Sequence, residues 1–191
     1  MRVIAGSLKG RAIPFDNRRY GGAETSPQRL KGALFSMLGE DLSGKAFLDL
    51  YACSGQMGIE AYSRNARPVV MNERDGRRYE HLIGLVGAWG LADGCLTMRM
   101  DAAQCVRHCA ERGMRFECVF IDPPYAKNAG EASVYGEILG FLDEAAVLAP
   151  GGRIVVQHFA RNTLPDNVGR LRMIDSRTYG TSALSSYLPD R

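Results

Sequence analysis

The sequence predicts an α/β fold, a mostly parallel sheet of seven strands that ends in a C-terminal antiparallel hairpin. Three observations predict it. The apolar run Phe116-Glu117-Cys118-Val119-Phe120-Ile121 reads as a strand buried on both faces, as parallel strands are. Two earlier runs, 46–51 and 68–73, each pass into a stretch of helical periodicity, the pattern of βαβ units. Near the end, residues 172–179 and 182–188 alternate on either side of a short turn, as an antiparallel edge hairpin does.

Composition narrows the class. The chain has 191 residues, of which 46% are hydrophobic and 24% charged, which suits one compact soluble domain. No apolar run approaches the roughly 18 residues of a membrane span. The N-terminus carries no signal-peptide core, so a cytoplasmic location is expected. Five cysteines without framework spacing (Cys53, Cys95, Cys105, Cys109 and Cys118) are expected as reduced thiols. Cys105, His108 and Cys109 lack a second ligand cluster, so no metal is expected.

Charge is uneven. Residues 1–31 hold Arg2, Lys9, Arg11, Arg18, Arg19, Arg29 and Lys31 against Asp16 and Glu24, a local +5 in a chain of net +3. A basic arm on a near-neutral body suggests a polyanionic partner. Residues 1–14 read as a short hairpin, and the loop around Arg18-Arg19-Tyr20 suits phosphate contact and base stacking. Thr25 or Ser26 can cap a following helix with Pro27 in its first turn. Its stripe is Leu30, Ala33, Leu34, Met37 and Leu38, with Arg29 and Lys31 outside it, and Gly39 as its stop. Residues 1–40 are therefore read as a basic extension of hairpin, loop and helix, and 41–191 as the main domain.

The first core strand, 46–51, contains Asp49 and runs through Tyr51-Ala52-Cys53-Ser54-Gly55 to Gly58 and a helix. Strand, small-residue turn and helix is the arrangement that brings a nucleotide-like cofactor to a helix N-terminus. The strict G-x-G-x-x-G of dinucleotide folds is absent. The second strand ends on Glu73, an acid suited to two ribose hydroxyls or to the start of a helix. The helix 75–91 shows Tyr79, Leu82, Ile83, Val86 and Trp89 as its apolar face, weakened by Gly84, Gly87 and Gly90. The third strand, 95–100, leads to Asp101-Ala102, where Asp101 can accept from an adenine amino group or cap the next helix. A helix over 134–148, a turn at 149–152 and a fifth strand at 153–159 follow.

The run 116–121 stops on Asp122-Pro123-Pro124-Tyr125. Proline cannot continue a ladder, and ligands of open α/β sheets bind at the carboxyl ends of strands. The Asp122 carboxylate and the Pro123 carbonyl are two fixed acceptors for the hydrogens of an exocyclic amino group on a base. Pulling on those hydrogens turns the nitrogen towards tetrahedral geometry and frees its lone pair. Tyr125 adds a stacking face, worth roughly 1–3 kcal/mol for a base.

Asp122-Pro123-Pro124-Tyr125 resembles the signature of S-adenosylmethionine-dependent methyltransferases that act on exocyclic amino groups. The opening 1–11, the helix 25–38, the loop 49–55, Glu73, Asp101-Ala102 and Tyr179-Gly180-Thr181 then follow in the order of the bacterial 16S ribosomal RNA guanine-N2 methyltransferase RsmD family. The resemblance covers nearly the whole chain and implies a Rossmann-like class I methyltransferase fold. It implies S-adenosyl-L-methionine as cofactor, held by Asp49, Tyr51, Ala52, Cys53, Ser54, Gly55, Gly58, Glu73, Asp101, Ala102 and Asp122. Asp122, Pro123, Pro124 and Tyr125 are the implied catalytic set. Arg2, Lys9, Arg11, Arg18, Arg19 and Arg29 are the implied RNA contacts. The implied substrate is 16S rRNA in the 30S subunit or an assembly intermediate, acted on by a monomer. Where the family has glycine, this chain has Cys53. Two other readings stand beside this one: a DNA adenine-N6 methyltransferase, and a binding protein for RNA or ribosomes without turnover.

Overall fold

The computed structural model describes residues 1–20, 28–123 and 133–190. They form two compact units, Met1–Asp101 and Ala102–Arg191.

The first unit holds α1 (Gln28–Leu38), β1 (Phe47–Asp49), α2 (Gln56–Ser63), β2 (Val69–Asn72), α3 (Gly76–Trp89) and β3 (Cys95–Met98). β2 pairs in parallel with β1 (Phe47↔Val69) and with β3 (Val69↔Cys95). Every residue of β1 and β2 is buried, which is why those runs carry no alternation. Asp75 caps α3 by accepting from the Arg78 N–H at 3.0 Å, and Gly90 ends it at φ 66°. Its buried residues are Leu82, Leu85 and Val86, while Ile83, expected inside, is 41% exposed. Gly84 and Gly87 lie on its open face.

Helix α1 departs from its expected stripe. Its buried residues are Leu30, Lys31, Leu34 and Phe35, so a lysine takes a core position. The reason lies in α2, where the fully buried Glu60 receives it. Glu60 also accepts from the N–H groups of Ile4 at 2.8 Å and Ala5 at 3.0 Å. Ser7 N–H donates to the Ser63 carbonyl and Leu8 N–H to its hydroxyl. With these main-chain groups engaged by α2, the expected N-terminal hairpin keeps one antiparallel bridge, Arg2↔Ala12. The expected caps Thr25, Ser26 and Pro27 lie outside the described residues.

The second unit holds α4 (Ala102–Glu111), β4 (Phe116–Ile121), α5 (Ser133–Ala145), β5 (Leu148–Phe159), β6 (Asn167–Val168), β7 (Leu171–Tyr179) and β8 (Ser182–Pro189). Its strand order is β4-β5-β8-β7-β6. β4 and β5 are parallel, and the remaining pairs are antiparallel. The class is the expected one, a mixed α/β sheet with mostly parallel strands and a C-terminal antiparallel hairpin. The described residues contain eight strands rather than seven, because the two-residue β6 pairs with the start of β7 and takes the edge. The expected turn at 149–152 is instead an irregularity inside β5. Leu148 already pairs with Phe116, the register then shifts, and Cys118 pairs with Arg153. Gly151, at φ 76°, takes up the change. Helix α5 accordingly stops at Ala145 rather than reaching Leu148.

Candidate cofactor loop and amine-acceptor site

In the first unit, β1 delivers Asp49 to a buried position where its Oδ2 accepts from the Gly58 N–H at 3.1 Å. The turn between β1 and α2 is tight. Ala52 N–H donates to the Asn72 carbonyl at 2.8 Å, and Gly55 N–H to the Ala52 carbonyl at 2.7 Å. Cys53 at φ 47° and Gly55 at φ 77° both adopt the left-handed conformation. Glycine does this freely and a cysteine does not. Gly58 packs on β2 so closely that a Cβ there would stand 2.4 Å from Met71 Cγ. Ser54 is buried, and the N-cap residue Gly55 offers no side-chain cap, while Asp49 takes the first-turn Gly58 N–H. First-turn N–H groups at such an end suit an anionic group.

Glu73 stands at the end of β2, nearly buried, beside this turn. Its Oε2 accepts from the Cys53 N–H at 3.1 Å, and its Oε1 from the Asp75 N–H at 2.8 Å. The Arg78 guanidinium reaches the same Oε1 at 3.3 Å. Tyr51 is half-buried, and burial pushes its hydroxyl up to about 12. Asp101 follows β3, and Ala102 opens α4.

Two residues missed by sequence reasoning organise this turn. Buried Asn72 donates to the carbonyls of Leu50 and Met100, both at 3.1 Å, and accepts from the Met100 N–H, so it ties the ends of the strands together. His81, on α3, is hydrogen-bonded to the Ser54 backbone, and burial lowers its pKa. Its ring packs against Phe15 at 5.1 Å and Tyr20 at 5.4 Å, which stack on each other at 4.6 Å. An asparagine directly before the strand-end acid was the one signal available for Asn72.

Of the expected RNA contacts, Arg2, Lys9, Arg11, Arg18, Arg19 and Arg29 are all exposed. Arg2 donates to the Gly10 carbonyl at 2.6 Å, Arg11 lies over the Trp89 ring at 4.2 Å, and Arg19 lies over Tyr20 at 5.7 Å.

In the second unit, Asp122 follows β4 directly and is half-exposed, and Pro123 is buried. The pair therefore sits at the carboxyl end of a strand with a parallel neighbour. Pro124 and Tyr125 lie outside the described residues. Among the described residues no group of acids, histidines and cysteines could hold a metal ion, and no helix is long and apolar enough to cross a membrane.

A family model described as conserved hypothetical protein 95 matches residues 1–188. The chain belongs to this family. Relatives of the chain carry rRNA methyltransferase names. YlbH of Bacillus subtilis, provisionally named an rRNA methyltransferase, is 33% identical over 189 residues, which is 98% of each chain. Ribosomal RNA small subunit methyltransferase D of Escherichia coli is 27% identical over 86% of this chain and 78% of its own. In three dimensions, the Escherichia coli protein yhhF, provisionally named a methyltransferase, overlays with a TM-score of 0.82 at 24% identity, covering 100% of this chain and 98% of its own. An RNA methyltransferase from Salinibacter ruber in complex with S-adenosyl-L-homocysteine gives 0.66 at 18% identity, over 88% and 95%. Both likenesses are of fold.

Proposed function

We propose that this protein is an S-adenosylmethionine-dependent rRNA methyltransferase that modifies the exocyclic N2 of a guanine in 16S rRNA. One observation carries the reading to chemistry: in a chain of this family, an aspartate followed by proline occupies the carboxyl end of a parallel strand, as Asp122 and Pro123 do. The residues of the first unit fit the cofactor on their own geometry. The glycine-tight turn leading into α2 suits a carboxylate at the helix start, and the acid Glu73 is an acceptor for hydroxyls. Asp49, Tyr51, Ala52, Cys53, Ser54, Gly55, Gly58, Glu73 and Asp101 would hold it. When bound, S-adenosylmethionine supplies a methyl group already activated by a positive sulfur, so the enzyme needs no nucleophile of its own.

The chain's residues then orient and polarise. Asp122 and the Pro123 carbonyl accept the two hydrogens of the amine and hold its lone pair in line. Tyr125 stacks on the extruded base. After transfer, the amine's excess proton leaves to the Asp122 carboxylate or to water. Residues 1–40, through their exposed arginines, contact RNA phosphates, and 41–191 carry the reaction. We assign the work to a monomer in the cytoplasm, without metal, on the 30S subunit or an assembly intermediate.

A second reading has one observation in its favour. The left-handed Cys53 strains the cofactor turn, as a binding protein that had lost turnover could tolerate. Transfer of labelled methyl to undermethylated 30S subunits, naked 16S RNA and duplex DNA separates the readings. Label recovered as N2-methylguanosine supports the proposal. Label in DNA adenine replaces it with an adenine-N6 enzyme, and no label with no cofactor binding replaces it with the binding protein.

A further inference from the structure

The sheet of the second unit has two faces that treat their polar side chains differently. On one face these groups satisfy each other. Ser176 on β7 and Ser185 on β8 have their hydroxyls 2.9 Å apart, and Ser185 Oγ lies 2.8 Å from Nε2 of the buried His158 on β5. The other ring nitrogen, Nδ1, lies 2.8 Å from the Phe159 carbonyl.

The opposite face does not close on itself. Among the described residues of the second unit, Gln157 Oε1 and Ser186 Oγ are the buried side-chain atoms without a hydrogen-bond partner. Register puts both on one face. Val155 pairs with Ser186 and Gln157 with Leu184, whereas Ser185 pairs with Val156 and His158 with Ala183. Residues paired across strands share a face and successive residues alternate, so Gln157 and Ser186 lie opposite to Ser185 and His158. In the parallel ladder Ile121 pairs with Val156, so the next step of that register sets Asp122 beside Gln157 on the same face. Native proteins leave few buried polar atoms unpaired, and each one calls for a reason. The unpaired Gln157 acceptor stands on the strand next to Asp122, at a strand spacing of about 4.8 Å.

The chemistry of the base supplies the reason. A guanine offered to Asp122 and the Pro123 carbonyl by its 2-amino group presents a second donor next to that group, the ring N1–H. Adenine carries a lone pair on the ring nitrogen beside its amine. An amide oxygen at this place therefore accepts from guanine and opposes the lone pair of adenine.

We propose that Gln157 reads the base: its Oε1 accepts from the N1–H of the guanine whose 2-amino group is held by Asp122 and Pro123. The inference rests on the reading of Asp122 as amine acceptor and deepens it to the choice of base. Gln157 makes and breaks no covalent bond. The methyl carbon passes from sulfur to N2, and the amine's proton goes to Asp122 or water, as before.

The probe is 2-aminopurine, which keeps guanine's 2-amino group and has a lone pair in place of the N1–H. In the RNA or subunit that accepts labelled methyl, splinted ligation replaces the target guanosine with 2-aminopurine riboside, and single-turnover transfer to the two bases is compared. The unaltered protein should favour guanine by more than about tenfold. Gln157→Leu should lower that preference by about tenfold, through slower transfer to guanine, with S-adenosylhomocysteine affinity unchanged within about twofold. Transfer to both bases within about twofold by the unaltered protein overturns the proposal without any variant, and so does a Gln157→Leu protein slowed equally on both. Asp122→Asn tests the underlying reading separately: full transfer by that variant overturns the amine-acceptor role itself, whereas its inactivity beside an unaltered protein indifferent to the two bases removes Gln157 alone.

Discussion

Lys31 and Glu60 face each other at 3.0 Å with both side chains fully buried. The lysine also donates to the Arg2 carbonyl at 2.7 Å, and Arg64 reaches the other carboxylate oxygen at 3.1 Å. One glutamate thus gathers α1, α2 and the N-terminal arm. Burial lowers the Lys31 pKa against the pull of Glu60, so desolvation is the larger effect.

Removing one partner of such a pair is costly. Lys31→Met leaves the Arg2 carbonyl without its lysine donor and Glu60 with Arg64 as its one remaining cation, and we expect a loss of about 3 kcal/mol in urea unfolding. Glu60→Ala should cost more, because two main-chain N–H groups and two cations lose their acceptor. A loss below about 1 kcal/mol in both variants would mean that the cluster is not a structural centre.

Cys53 gives a sharper contrast. A left-handed non-glycine residue costs about 1–2 kcal/mol, which glycine avoids while losing about 0.5–1 kcal/mol through chain entropy. Cys53→Gly should therefore be neutral or slightly stabilising by thermal unfolding. Cys53→Val, β-branched at φ 47°, should lose at least about 1 kcal/mol. It should also weaken binding of S-adenosylhomocysteine in calorimetry, since Cys53 N–H is held by Glu73. Equal stability of the two variants would remove strain from the account of this turn.

The exposed arginines of the arm predict a salt effect. Arg18→Ala with Arg19→Ala should lower the slope of log affinity against log salt by roughly one to two for RNA. An unchanged slope would take this loop out of the RNA-contacting surface.

His158 predicts a pH effect with a definite sign. Burial lowers its pKa from the usual 6.5, so below that pH the unfolded chain takes up a proton that the folded chain refuses. Its contribution is complete above about pH 6.5 and is lost as pH falls towards its folded pKa, at up to about 1.4 kcal/mol per pH unit. Unfolding measured between pH 7 and 5 should show a shallower fall for His158→Gln than for the unaltered protein, and parallel curves would contradict the assignment.

The sheet was legible because buried parallel strands leave continuous apolar runs, as at 47–49, 69–72 and 116–121. The terminal hairpin was legible for the opposite reason, alternation around Gly180. The end of β4 before Asp122 and Pro123 was legible because prolines after a buried strand mark its end. Lys31 was not, since a charge on an amphipathic helix reads as surface until its partner 29 residues away is placed. The fifth strand was misjudged because Ala149-Pro150-Gly151-Gly152 has turn chemistry, whereas pairing with Phe116 holds it in the sheet. The hydrogen-bonded series Ser176–Ser185–His158 and the ring contact of His158 with Tyr135 join four separate elements, and no local pattern announces them.

Helix α2 grips residues 4–8 by their main-chain groups, through the Glu60 carboxylate and both oxygens of Ser63. Such a grip is blind to side chains. A saturation scan of the arm should find Ile4, Ala5 and Leu8 widely replaceable. Gly6 should be the exception, since a Cβ there would fall 1.7 Å from the Ser63 carbonyl oxygen. The outer surface of the arm can thus be rewritten for a different polyanion while its seat on the protein stays the same.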